Sequence, residues 1–273
     1  MRHLVSSAGH GLDADPRVVA ELGPGDSLGT GIAAILTGAA RYYALDVVSF
    51  ADIDRNLAVL DGLVALFRQR ARIPEGEFAA APILASRDFP DAILTDARLA
   101  RALDAERLAA VRGAVASMGT DCDGIKVAYA PAWMEAGAAP DENPDMIFSQ
   151  AVLEHVDDLE TTYRRTHEWL APDGFVSHEI DLTSHGFAKT WNGHWTHSDR
   201  AWRAIRGRRR FAINREPLST HLRLLHDTGF RVVYVHRVPA PAEIRRDQLA
   251  PRFDGLSDDD LTTCNAMVLA VKA

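Results

Sequence analysis

The chain alternates between short apolar runs and longer segments whose apolar residues recur at helical spacing. RVVAEL (17–22) is one such run and predicts a buried strand. The GPGDS turn follows, and LGTGIAAILTGA then places small and apolar residues at helical spacing, with Gly38 as the stop. RYYALDV (41–47) ends on Asp46 and predicts a second strand. This strand–turn–helix–strand unit predicts a parallel sheet with right-handed crossovers. Residues 50–72 read as a helix with Leu57, Leu60, Val64 and Phe67 on one face. Residues 73–95 are Pro-rich and irregular, and 96–118 read as one or two further helices.

Five more strands are expected in GIKVAYA (124–130), DMIFSQ (145–150), FVSHEIDL (175–182), RVVYVHRV (231–238) and CNAMVLAVK (264–272), giving seven in all. A helix after the fourth strand carries Val156, Leu159, Tyr163 and Leu170 roughly on one side. Another, in PLSTHLRLLHDTGF, aligns Leu218, Leu222 and Leu225, with Gly229 as its cap. The expected organisation is one domain over 1–273. It carries a helical insertion at about 73–118 and an active-site loop or lid at about 183–215.

Composition narrows the function. Of 273 residues, 47% are hydrophobic and 25% charged, as in an ordinary globular protein. The net charge of −8 argues against a general nucleic-acid or acidic-membrane binder, which needs positive surface. No apolar run approaches a membrane span, and the N-terminus lacks the apolar core of a secretory leader. Cys122 and Cys264 lie far apart, with no disulfide or zinc spacing, which fits a reduced cytoplasmic compartment. The expected partners are a small-molecule substrate and, at most, a second copy of the chain in a homodimer.

The GPGDS turn is the first candidate for chemistry. Gly23 and Gly25 let backbone approach a ligand, and the helix after them presents free N–H groups. Asp46 follows about 20 residues later at the end of the second strand, where an acid holds ribose hydroxyls. A tight strand-to-helix turn without ligand is the structural alternative. The third glycine of a dinucleotide fingerprint is missing, because Asp26 and Ser27 stand there. Glu21, just before the turn, repels a phosphate and suits a ligand bearing a cation. S-adenosylmethionine carries an ammonium and a sulfonium beside its ribose, and no phosphate.

AELGPGDSLGTG, YYALDV and DMIFSQAVLEHVDDLETTYRRTHEWLAPDGFV together resemble the first, second and fourth motifs of class I S-adenosylmethionine-dependent methyltransferases. The resemblance covers roughly residues 15–182. The C-terminal half is similar to a branch linked to surface-glycan biosynthesis. The resemblance implies an α/β fold of Rossmann-like type: a doubly wound, seven-stranded, mostly parallel sheet with an antiparallel edge strand. It implies that Glu21, Gly23 and Gly25 line the methionine and ribose, that Asp46 binds the ribose hydroxyls, and that Val47 packs on adenine. Ser27, at the departure from the family pattern, is a further cofactor-side candidate whose side chain either contacts the methionine tail or caps the following helix. Ser149 and Gln150 would lie under the cofactor. The acidic adenine signature after the third strand is absent, leaving Ala130 and Trp133 for the adenine edge.

Methyl transfer to a hydroxyl is helped by a general base, and histidine suits neutral pH. His178, His185, His194 and His197 all follow the start of the fifth strand. Ligands of open α/β sheets bind beyond the carboxyl ends of strands, which draws attention to Asp181 and His185. Strand alternation sets His178 and Asp181 on opposite faces. His185 is the first candidate base and His155 the second, with Asp181 beside them. Each also has a structural reading, as a packing or surface residue. His178, Trp191, His194 and Arg215 are candidates for the substrate side. The basic run RAIRGRRRFAINR suits an anionic acceptor, or is a solvated helix end. His194 and His197, with Asp181 and His185, form the nearest approach to a metal set. No H-E-x-x-H or cysteine pair supports it, so no metal is expected.

The reading is methyl transfer from S-adenosylmethionine to a small-molecule oxygen, on a sugar or an anionic metabolite. The alternatives are a nitrogen or carbon acceptor, a non-methylating enzyme such as a cyclase, and a non-catalytic cofactor-binding or partner module.

Overall fold

The computed structural model describes residues 1–74, 83–131, 133 and 139–273. Residues 75–82 of the expected insertion, and 132 and 134–138 of the segment expected near adenine, lie outside the described residues. Among the described residues eight strands form the sheet, in the order β3-β4-β2-β1-β5-β6-β8-β7 given by the ranges below. The sheet is mostly parallel, with antiparallel strands at its edges. Chain contacts divide into two compact units, residues 1–149 with 168–177, and residues 150–167 with 178–271.

The first unit opens with α1 (Arg2–Gly9), β1 (Val18–Leu22), α2 (Gly29–Thr37) and β2 (Arg41–Asp46). Then come α3 (Ile53–Arg68), α4 (Asp96–Ala102), α5 (Ala105–Ser117), β3 (Asp121–Cys122), β4 (Ile125–Pro131) and β5 (Met146–Gln150). β1 runs parallel to β2 and β5, and β2 parallel to β4. Val19, Leu22 and Leu45 are almost fully buried, as strands covered on both faces require. The helices start where side chains accept their free N–H groups: Asp52 for α3, Thr95 for α4, Asp104 for α5. Arg98 of α4 and Arg107 of α5 donate to Thr37, Ile35 and Ala39 carbonyls at the C-terminal end of α2. Cations are favoured at that end of a helix. Residues 96–118 thus brace the helix that follows the glycine turn.

The strand count of seven is corrected to eight. β3 has only two residues and pairs antiparallel with β4, Asp121 opposite Lys126 and Cys122 opposite Ile125. Asp123 and Gly124 both have positive φ, 48° and 81°, as a two-residue hairpin turn requires.

The second unit contains α6 (Leu159–Trp169, most of it), the end of β6 (Phe175–Asp181), α7 (Asp199–Arg206), α8 (Leu218–Asp227), β7 (Phe230–Pro239), α9 (Asp258–Thr262) and β8 (Thr263–Lys272). Residues 183–215, expected to form a loop or lid, hold a 3-10 turn (Gly193–Thr196) and α7. Trp195 packs with Leu249, Phe253 and Leu261, and Trp202 with Ala212 and Ile213. No helix among the described residues is long and apolar enough to cross a membrane. Cys122 and Cys264 are free thiols.

Candidate functional site

In the first unit, β1 delivers Glu21 to the start of the glycine turn, buried at 5% exposure. The Tyr42 hydroxyl donates to its carboxylate at 2.6 Å. Burial pushes the Glu21 carboxyl up to about 7; the Tyr42 and Gly31 hydrogen bonds oppose this, and the Asp46 charge adds to it. Gly23 and Gly25 have φ of 65° and 68°, left-handed values that favour glycine. A Cβ on Gly25 would meet nothing within 4 Å, so the turn faces open space there.

The third glycine is displaced rather than missing. A Cβ on Gly31 would lie 1.9 Å from Cζ of Tyr42, so only glycine lets α2 sit on that ring. This is the helix–strand packing task of the fingerprint's last glycine. The Asp26–Ser27 pair has another use. Asp26 forms an exposed ion pair with Arg55. Ser27 Oγ accepts from Gly29 N–H at 3.4 Å, and Asn56 of α3 accepts from Leu28 N–H at 2.8 Å. Both acceptors lie at the start of α2.

Asp46 closes the turn. One carboxylate oxygen accepts from Gly25 N–H at 2.9 Å, the other from Val47 N–H at 2.7 Å. Val47 is exposed, Ser149 fully buried and Gln150 exposed. Trp133 is buried and packs edge-on against Trp169, with ring centroids 5.9 Å apart.

In the second unit, Asp181 ends β6, and its carboxylate meets His185 Nε2 at 3.2 Å. Its other oxygen accepts from Thr183 N–H at 2.8 Å. Burial works to raise the Asp181 carboxyl, but the His185 and Thr183 hydrogen bonds outweigh it and hold it below the usual range. His185 has a left-handed φ of 47°, a conformation that His adopts more readily than most side chains. His155 stands edge-on to it, ring centroids 5.0 Å apart at 87°. Burial, then the neighbouring His185, lowers the His155 imidazole.

Glu154 joins this group, and the sequence reading missed it. It is 3% exposed, and neither carboxylate oxygen has a hydrogen-bond partner. Burial pushes it up to about 8, and the Asp181 and Glu179 charges add to this; the backbone N–H groups of Glu154 and Asp181 lie close enough to oppose it, but outside hydrogen-bond geometry. Asn214 pins the turn that carries Glu154 and His155, donating to the Leu153 and Val156 carbonyls at 2.8 Å each. One donor atom each from Glu154, His155 and His185 lie within 4.8 Å of one another. The one hint in the sequence was the acid inside SQAVLEHV.

Of the four substrate-side candidates, His178, His194 and Arg215 are buried and Trp191 is half-buried. His178 is fully buried near the Tyr163 ring, and burial lowers its imidazole to about 3. His194 is buried against Trp195, centroids 4.6 Å apart, and is likewise lowered to about 3 by burial. Trp191 donates to the Pro241 carbonyl at 2.8 Å. Arg215 is buried between the rings of Trp202 and Phe253 and binds the His197 carbonyl and Asp199, both at 2.7 Å. In the basic run, Arg206 forms a two-pronged pair with Asp157 at 2.9 and 2.6 Å.

The chain matches a family model described as "Methyltransferase domain" over residues 27–235. It therefore belongs to this methyltransferase family. Among curated proteins, none matches the sequence. Similar solved structures include an S-adenosylmethionine-dependent methyltransferase from Mesorhizobium loti, 16% identical, covering 99% of this chain and 97% of that one, TM-score 0.48. Another is magnesium protoporphyrin IX methyltransferase from Synechocystis with bound SAH, 10% identical, covering 99% and 80%, TM-score 0.46.

Proposed function

We propose that the chain moves a methyl group from S-adenosylmethionine to an oxygen of a small-molecule acceptor. The carrying observation is the Asp181–His185 contact at 3.2 Å, with His155 against it. Such a pair fixes one ring orientation and stabilises the imidazolium that forms when the ring accepts a proton.

The glycine turn fits this cofactor. Glu21 opposes a phosphate and attracts an ammonium, and Gly25 faces open space. S-adenosylmethionine, when bound, supplies a methyl on a sulfonium, which is released as a neutral thioether. Glu21, Gly23, Gly25 and Ser27 line the methionine and ribose in this reading, Asp46 serves the ribose hydroxyls, and Val47 the adenine. Ser149 of β5 pairs with Leu22 of β1, and in this reading Ser149 and Gln150 serve the same ligand. The acceptor hydroxyl gives its proton to His185, held by Asp181, with His155 as the neighbouring imidazole. A cytoplasmic location fits the two free thiols.

The test is calorimetry with S-adenosylmethionine, followed by a search for S-adenosylhomocysteine formation with hydroxyl acceptors. Binding and turnover are expected, with His185→Ala lowering kcat by about 10²–10⁴-fold at unchanged cofactor affinity. Binding without S-adenosylhomocysteine would point to a non-methylating reaction. No binding would sink the proposal. Full activity in His185→Ala would move the acceptor from oxygen to an amine.

A further inference from the structure

We infer that Glu154, His155 and His185 form a binding site for one divalent transition-metal ion, with Asp181 orienting the His185 ring. Three observations carry this. The donor atoms of the three residues lie within 4.8 Å of one another, a spacing that a small inward movement closes around one ion. Glu154 is 97% buried, and both its oxygens lack a hydrogen-bond partner. A buried carboxyl in that state is costly unless something binds it. His155 Nδ1 is a second buried atom without a partner in the same group.

The surrounding structure matches what metal sites need. Histidine ligands are usually oriented by a carboxylate, and Asp181 does this for His185 at 3.2 Å. The 153–155 turn is held by Asn214 on both sides, which fixes Glu154 and His155 together.

Two imidazoles with one carboxylate select Zn²⁺, Fe²⁺, Mn²⁺, Co²⁺ or Ni²⁺ over Mg²⁺ or Ca²⁺, which prefer all-oxygen shells. His194 is not one of the three donors: it is buried against Trp195.

The existence of this site does not depend on the methyl-transfer reading; only its role does. An ion there is a Lewis acid that favours the ionised form of an acceptor hydroxyl. With the ion bound, His185 is occupied as a ligand and the hydroxyl proton leaves to solvent; in the metal-free chain His185 is the base proposed above.

The test uses the full chain, first as purified and then stripped with a chelator. Metal content is read by mass spectrometry, and binding of Zn²⁺ or Co²⁺ alone by dialysis and by the Co²⁺ absorption bands. One ion per chain is expected. Asp181→Asn, which leaves the three donors in place, should weaken binding about 10–100-fold. Glu154→Gln and His185→Gln should weaken it further, while His226→Ala leaves it unchanged. Circular dichroism checks each variant, and His185→Gln, on a loop, serves if Glu154→Gln fails to fold. The inference is overturned if the stripped protein takes up no stoichiometric Zn²⁺ or Co²⁺, or if His185→Gln binds as the parent does. Calorimetry with S-adenosylmethionine on the stripped protein separates this failure from failure of the methyl-transfer reading.

Discussion

Asp46 accepts a hydrogen bond from the backbone of Gly25 at 2.9 Å, tying the end of β2 to the glycine turn after β1. Because both its oxygens are bonded to backbone, the carboxylate stands in a fixed position before any ligand arrives. Asp46→Ala should weaken S-adenosylmethionine binding by more than tenfold, as loss of a charge-assisted bond of about 1.5–3 kcal/mol implies. Calorimetry checks this. Affinity retained within a few-fold would reject the ribose assignment.

Gly31 and Gly25 separate packing from backbone conformation. Gly31→Ala forces a methyl into the Tyr42 ring and should destabilise the fold by about 1–3 kcal/mol or more. Gly25→Ala meets open space but must adopt φ of 68°, at a cost of about 1–2 kcal/mol. Denaturant melts should rank Gly31→Ala as the worse. Cofactor titrations of the folded fraction should show the larger loss for Gly25→Ala.

Glu21 gives a pH dependence whose sign follows from its raised carboxyl. Between its ordinary value of 4.5 and about 7, the folded chain holds a proton that the unfolded chain has released. Stability from this group is full below about 4.5 and is lost as pH rises through about 7, by roughly 3 kcal/mol in total. Glu21→Gln removes that slope. Urea unfolding across pH 4–8, parent against variant, measures the difference. Parallel curves would show that Glu21 is not protonated in this window.

Arg215 should behave as a structural residue. Arg215→Ala removes a buried guanidinium from two aromatic faces, the His197 carbonyl and Asp199. A loss of at least about 1.5–3 kcal/mol is expected in chemical denaturation. Turnover per folded molecule should change little. A normal melting curve with a raised KM would restore its substrate role.

The β1–α2–β2 unit was legible because short apolar runs on either side of a glycine turn and a helically spaced segment all point to the same elements. The hairpin of β3 was not found, since two residues show no alternation, although Asp123-Gly124 marked the turn. Gly31 was overlooked because the fingerprint was read at fixed spacing, whereas packing on Tyr42 needs a glycine wherever the helix crosses the ring. Asp181 and His185 were correctly brought together, since both lie at the end of one strand. Glu154 stayed hidden, because an acid in a single 3-10 turn leaves no periodic trace. The burial of His178, His194 and Arg215 was hidden for the converse reason: residue type advertises chemistry but says nothing of burial.

The Tyr42 ring lies under α2 while its hydroxyl reaches Glu21, so one side chain answers to two masters. Bulk added at position 31 would lift the helix or tilt the ring. Either movement would withdraw the hydrogen bond that favours the carboxylate. Side-chain volume in a helix is thereby converted into the charge state of the acid that opens the turn.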